Sequence, residues 1–142
     1  MTSQLNVDTI VDKAGSGGSN VKMANTSTYV SDGGAVAQNT VQGLCKSWCN
    51  FDGQASGAAA RDSFNVGSMT DNSTGNYNTN FTNNMSNDDF SGSTDSQDAT
   101  TRTNVHSSFE GQTTSTLNIL HYEGGSATDT NRVGTMAMGD LA

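Results

Sequence analysis

From Arg61 to Phe81 the chain reads RDSFNVGSMTDNSTGNYNTNF, with apolar and polar residues alternating on either side of a turn-forming stretch. Strand side chains point to opposite faces in turn, so this pattern commits the segment to extended structure. Phe64 and Val66 would share one face of a first strand, and Tyr77, Thr79 and Phe81 one face of a second. Between them Thr70-Asp71-Asn72-Ser73-Thr74-Gly75 is rich in residues that bond their own backbone or accept positive φ, as a hairpin loop requires.

Comparable strand candidates recur along the chain: Leu44 to Phe51, Ala59 to Met69, Asn76 to Thr82, Phe90 with its neighbours, Thr101 to Phe109, Thr114 to Tyr122 and Arg132 to Met138. No segment has the length and caps of a helix. Evenly spaced strands with turn signals between them predict an all-β fold, an antiparallel β-sandwich or jelly-roll-like domain. Thr, Ser, Asn and Gly make up about half of the 142 residues, and only 32% are hydrophobic. Such low apolar content often signals disorder, but disorder also brings high charge and abundant proline; here 14% of residues are charged and proline is absent. A thin β fold fits better. Its small stock of aromatics, five Phe, three Tyr and one Trp, limits burial within one copy, and burial between copies would add stability. A homo-oligomer is therefore expected.

The N-terminal third differs in texture. Residues 1 to about 12 read as a short strand-like arm, with Leu5, Val7, Ile10 and Val11 as its apolar anchors, and AGSGGSN and SDGGAVAQN make residues 13–43 a Gly/Ser connector. Tyr29-Val30 would make one short strand within it. The expected layout is an extended arm and connector over residues 1–43, serving for attachment, and a sandwich domain over residues 44–142. An edge-pairing arm on a flexible connector can dock on another sheet while the body stays free.

Charge and motifs narrow the function classes. A net charge of −8 and six Lys and Arg in all argue against nucleic acid or an anionic membrane as partner. No stretch approaches the roughly 20 apolar residues of a membrane span, and no leader pattern opens the chain, so assembly in a reducing cytoplasm is expected. Cys45 and Cys49 in CKSWC miss zinc and redox spacings. On a strand their Cα atoms would lie roughly 13 Å apart, beyond the roughly 7 Å a disulfide tolerates, so both are expected to be reduced, buried and without metal. A zinc set completed by His106 and His121 has nothing to hold its pieces together. Asp88-Asp89 reads as a solvated turn, since adjacent strand residues face opposite ways. The oxygen clusters at Asp71-Asn72-Ser73 and Asp129 to Asn131 are explained as well by Asx turns as by calcium. Gly15-Ser16-Gly17-Gly18-Ser19 lacks the context of an acylating serine. No enzyme chemistry, cofactor or metal is expected.

Trp48-x-Asn50-Phe51-x-Gly53, Ala60-Arg61-Asp62-Ser63-Phe64-Asn65-Val66, Thr70-Asp71-Asn72-x-x-Gly75-x-Tyr77, Asn80-Phe81 and Met85 together closely resemble a domain of tail-fibre and other virion proteins of bacteriophages, marine ones especially. Leu5 to Ile10 resembles the start of such proteins, and Ser126 to Asp129 through Gly139-Asp140 their closing strand. The resemblance implies a virion structural protein assembled in the bacterial host. Where the family commonly carries Asn-Gly in the hairpin, Ser73 follows Asn72 here, so Gly75 must supply the positive φ within a longer loop than a type I′ turn. The polar Thr79 stands where an apolar residue would be expected.

Taken with the composition, this gives a tail-fibre-like, trimeric virion protein that attaches to a host surface polysaccharide or protein, with capsid decoration or a head fibre as the architectural alternative. Tyr77, Tyr122 or Trp48 would supply apolar contact to a receptor. Trp48, Phe51, Phe64, Val66, Tyr77 and Phe81 are expected to be buried in the domain or between subunits.

Overall fold

Period-two alternation in a polar chain can bury only one face of each strand, and two sheets stacked on those faces are the simplest way to remove both from water. The computed structural model, which describes residues 27–30, 34, 37–97 and 105–142, takes this form. The chain divides into two compact units, Met1–Val41 and Gln42–Ala142. In the first, β1 (Thr28–Val30) pairs antiparallel with β2 (Ala37–Asn39), Tyr29 opposite Gln38, and the Thr40 amide donates to Ser27 O at 2.9 Å. The arm anchors Leu5, Val7, Ile10 and Val11 lie outside the described residues.

The second unit is an antiparallel β-sandwich with no helix among its described residues. Its strands are β3 (Cys45–Asp52), β4 (Ala59–Phe64), β5 (Val66–Ser73), β6 (Asn76–Phe81), β7 (Ser91–Gln97), β8 (Val105–Thr113), β9 (Thr116–Glu123), β10 (Ser126–Ala127) and β11 (Arg132–Met138). One sheet runs β4-β3-β11-β7. In the other, β9 lies between β8 and β6, β5 follows β6, and the short β10 pairs with the far end of β9.

The core forms where the inward residues meet. Cys49, Phe51, Val133 and Ala137 from the first sheet face Tyr77, Phe81, Leu117 and Ile119 from the second, with Met85 and Phe90 buried beside them. Phe51 and Tyr77 touch edge to face, ring centroids 5.2 Å apart, and Phe81 meets Phe90 in the same way at 5.7 Å. Full burial of each such ring contributes on the order of 1.5–3 kcal/mol. Thr79 is also buried, its hydroxyl directed to Leu117 O at 3.5 Å; the expected apolar gap is filled by a hydroxyl with a partner.

Two local expectations are corrected. The segment from Ala59 to Met69 is two strands in different sheets, because Asn65 takes φ 57 and turns the chain from β4 to β5. Asparagine tolerates this conformation. Its side chain fixes the corner by donating to Lys46 O and Asn83 O, each at 3.0 Å, and accepting from the Asn83 amide at 2.7 Å. Phe64 and Val66 therefore do not share a face. The hairpin loop is also shorter than expected: Ser73 pairs with Asn76 around Thr74-Gly75, and the surplus residue is absorbed by a bulge between Asp71 and Ser73. Gly75 does take the positive φ, 70°.

Candidate functional site

The outer face of the β4-β3-β11-β7 sheet is where the second unit exposes its largest apolar side chains. Register puts them in line: Trp48 lies opposite Phe64 on one side and Met136 on the other, and Met136 lies opposite Ser93. Trp48 is 37% exposed, Phe64 52% and Met136 45%, values that separate them clearly from Phe51, which is fully buried one pleat away. The row crosses all four strands, roughly 14 Å at the usual interstrand spacing. Met138, also exposed, follows on β11.

The next outward row is polar. Asp62 pairs with Asn50, Asn50 with Gly134, and Gly134 with Asp95. Because Gly134 has no side chain, the sheet is open between the two rows, and a cavity of about 330 Å³ lies over it, bordered by Trp48, Asn50, Ser93, Asp95 and Met136. This glycine is not demanded by the backbone. Its φ is not positive, and an added Cβ would meet nothing closer than Asp95 O at 3.9 Å. A glycine inside a strand weakens it, so the open groove is bought at some cost in stability. By contrast, a Cβ at Gly92 would fall 2.7 Å from the Phe109 ring, and one at Gly139 2.6 Å from Phe90; those glycines serve packing.

Charged groups surround the groove unevenly. Arg61 donates to Asp52 at 2.6 Å and to Asn131 O at 2.8 Å. Arg132 donates to Gln97 Oε1 at 3.2 Å. Lys46 gives its ammonium to Leu44 O at 2.7 Å, and burial is the main influence holding its pKa below the usual lysine value. The cations near this face are thus engaged, while Asp62 and Asp95 stand exposed beside the groove.

The opposite outer face has another chemistry. Asn118, between the β6 and β8 ladders, donates to Asn76 Oδ1 at 2.7 Å and to Asn78 Oδ1 at 2.6 Å. Asn80 donates to Ser68 Oγ at 3.1 Å and to Thr70 Oγ1 at 3.0 Å. These amides and hydroxyls bond one another across strands, which is how an asparagine-rich sheet face stabilises itself.

The residues singled out in the sequence separate into three groups. Phe51, Tyr77 and Phe81 lie in the core, Val66 packs half-buried against it, and Trp48 and Phe64 lie on the outer face. Tyr77 is corrected as a receptor contact: it is fully buried, and its hydroxyl donates to Asp129 Oδ1 at 2.8 Å. Burial raises its pKa well above the usual tyrosine value. The same Asp129 oxygen accepts the Gly75 amide at 2.7 Å, so this carboxylate closes the hairpin end. No group of three or more His, Cys, Asp or Glu that could hold a metal ion occurs among the described residues. His121 is buried with Nδ1 3.1 Å from Ser107 Oγ. Gly134, Met136, Ser93 and Asp95 had no sequence signal as site residues, since only the pairing of β3, β11 and β7 brings them beside Trp48.

Both thiols are free, Cys49 buried and Cys45 half-buried, its partial exposure a departure from the expected burial. Burial, with the Asp62 carboxylate adding to it, pushes the Cys49 thiol up to about 11. At pH 8 we expect a thiol reagent to modify Cys45 in the folded protein and Cys49 only on unfolding. The Cys49 contribution to stability is complete below the unfolded thiol's pKa near 9 and is lost as pH rises through about 11. Equal native reaction rates at the two positions in a timed alkylation experiment would show that the core opens more readily than its packing indicates.

No family model, curated protein or solved structure matches the chain.

Proposed function

We propose that the chain is a structural protein of a bacteriophage virion, tail-fibre-like and non-enzymatic, present as a homotrimer, which attaches to the host surface through the outer face of the β4-β3-β11-β7 sheet. The observation that carries the attachment role is the exposed Phe64-Trp48-Met136 row with the unfilled groove over Gly134 beside it. Aligned, exposed aromatic and thioether groups beside an open, largely apolar groove are what a recognition surface needs. The virion assignment rests on the sequence resemblance, whose central block, from Trp48 to Met85, spans β3 to β6 and so includes two of the strands that bear the row. Residues 1–43 would hold the chain to the particle. Three copies would present three identical sites, so that weak contacts gain avidity.

Capsid decoration is the second reading, favoured by the breadth of the apolar row, which spans three of the sheet's four strands as a docking face would. Immunogold labelling of virions with an antibody against residues 42–142 tests the choice. Label at the tail, together with reduced adsorption when excess free protein is added, is the expected result. Label over the capsid with unchanged adsorption would put decoration ahead, and unlabelled virions would end the virion reading.

A further inference from the structure

We propose that the groove over Gly134 binds a fully methylated ammonium group, an organic cation of the choline class, with its methyl groups against Trp48 and Met136 and its charge balanced by Asp95; this rests on the attachment reading above and names the chemistry that the face recognises. The walls set the first condition. The surface lining the groove is almost entirely apolar, so a ligand seated there makes its contacts through carbon rather than through hydrogen bonds. The backbone adds none. Both strands beneath are central, β3 between β4 and β11 and β11 between β3 and β7, and an extended peptide, which binds by adding to a free edge, finds no edge here.

The rim sets the second condition. Register places Asp95 directly across from Gly134, roughly 5 Å away at the usual interstrand spacing, and Asp62 two strands off on the other side, roughly 10 Å away. Both carboxylates are exposed, while Arg61 and Arg132 are turned to Asp52, Asn131 O and Gln97. The chain as a whole carries −8. An anionic ligand would meet like charge, and a second copy laid face to face would set two acidic rows in one desolvated layer. A cation gains from the same field.

Few cations satisfy both conditions. A primary ammonium or a guanidinium carries N–H donors that would leave water without finding acceptors in an apolar seat. A quaternary ammonium has no N–H at all, and it is drawn to an aromatic face, that of Trp above the others. Trp48 borders the groove, and Met136, its register partner, adds a polarizable thioether. The missing side chain at Gly134, where an added Cβ would meet nothing closer than 3.9 Å, leaves room between them.

Titration of the full-length protein with choline, tetramethylammonium, ethanolamine and neohexyl alcohol tests this. Ethanolamine keeps the charge without the methyl groups, and neohexyl alcohol is the uncharged carbon isostere of choline. Since Trp48 is the chain's only tryptophan, its emission reports occupancy; calorimetry serves for Trp48→Leu. Choline and tetramethylammonium are expected to bind at least tenfold more tightly than the other two and to shield Trp48 from acrylamide. Trp48→Leu and Gly134→Val, which fills the groove, should each weaken choline tenfold or more, and Asp95→Asn several-fold, with circular dichroism and the urea midpoint establishing that each variant is folded. No binding of choline, equal affinity for choline and its uncharged isostere, or binding by folded Gly134→Val or Asp95→Asn indistinguishable from that of the parent overturns the proposal. Two further arms separate the site from attachment. Co-sedimentation with phosphatidylcholine vesicles is expected of a surface-borne headgroup, whereas binding of free choline alone keeps the site and removes attachment through it. Adhesion to bacterial envelopes by a protein that binds no choline removes the site and leaves attachment standing.

Discussion

Gly75→Ala is expected to destabilise the sandwich by more than about 3 kcal/mol, the combination of a forced positive φ and displaced backbone hydrogen bonds. Gly75 holds φ 70 in the β5-β6 turn, and a Cβ there would lie 2.5 Å from His121 O and 2.8 Å from the Thr128 amide. Those atoms belong to the backbone and cannot swing aside as a side chain does. The site is also tied from several directions. The Gly75 amide donates to Asp129 at 2.7 Å, its carbonyl accepts from the His121 amide at 2.7 Å, and the Thr128 amide donates to His121 O at 3.3 Å. Moving the turn to admit a methyl group would disturb all three. Gly57→Ala isolates the backbone part of the effect, because Gly57 takes φ 80 with nothing within 4 Å of an added Cβ; it should cost only about 1–2 kcal/mol. Urea denaturation of the two variants gives the comparison directly. Similar losses at both positions would mean that the β9-β10 segment yields freely and that the turn is not anchored as described.

Phe51→Ala should cost about 3–5 kcal/mol, and Phe64→Ala less than about 1 kcal/mol. Both phenylalanines belong to neighbouring strands of one sheet, but Phe51 is fully buried against Tyr77 while Phe64 is 52% exposed. Truncating Phe51 leaves a cavity among close-packed groups; truncating Phe64 leaves water where there was already water. With total stabilities of about 5–15 kcal/mol usual for single domains, the first change brings the sandwich close to unfolding at room temperature. Unfolding monitored at two protein concentrations adds a test of the proposed trimer. A Phe64→Ala loss that grows with concentration would show that another copy covers the outer face. A loss equal to that of Phe51→Ala at every concentration would show that the outward row belongs to the core.

How much of this was legible beforehand differs from element to element. The strand over Arg132 to Met138 was readable to the residue, and Asn76 to Thr82 to within one, because period-two alternation survives even where, as in Asn76–Phe81, most positions are Asn or Thr. The break at Asn65 was not readable. A single asparagine between two apolar residues keeps the alternation intact on paper, and only its φ of 57 moves the following strand into the other sheet. The hairpin erred the other way: the residues for a long loop were present, but a bulge took up one of them and left a two-residue turn.

The sequence by itself determined that this chain is all β, that its cysteines are too far apart along a strand to bridge, and that Phe51, Tyr77 and Phe81 occupy positions suited to a core, because each of these follows from strand geometry within a few residues. Only the tertiary structure decided that Trp48 and Phe64 face outward and that Met136, Gly134 and Asp95 stand beside them. Gly134 and Met136 are 86 and 88 residues away from Trp48 in sequence and Asp95 is 47, and they are brought together by the pairing order β4-β3-β11-β7. Alternation tells which side chains share a face but is silent on which face is covered, since a shift of one residue in register exchanges the two. The second sheet resolves that choice by packing on the Phe51 side, leaving the groove over Gly134 open to water.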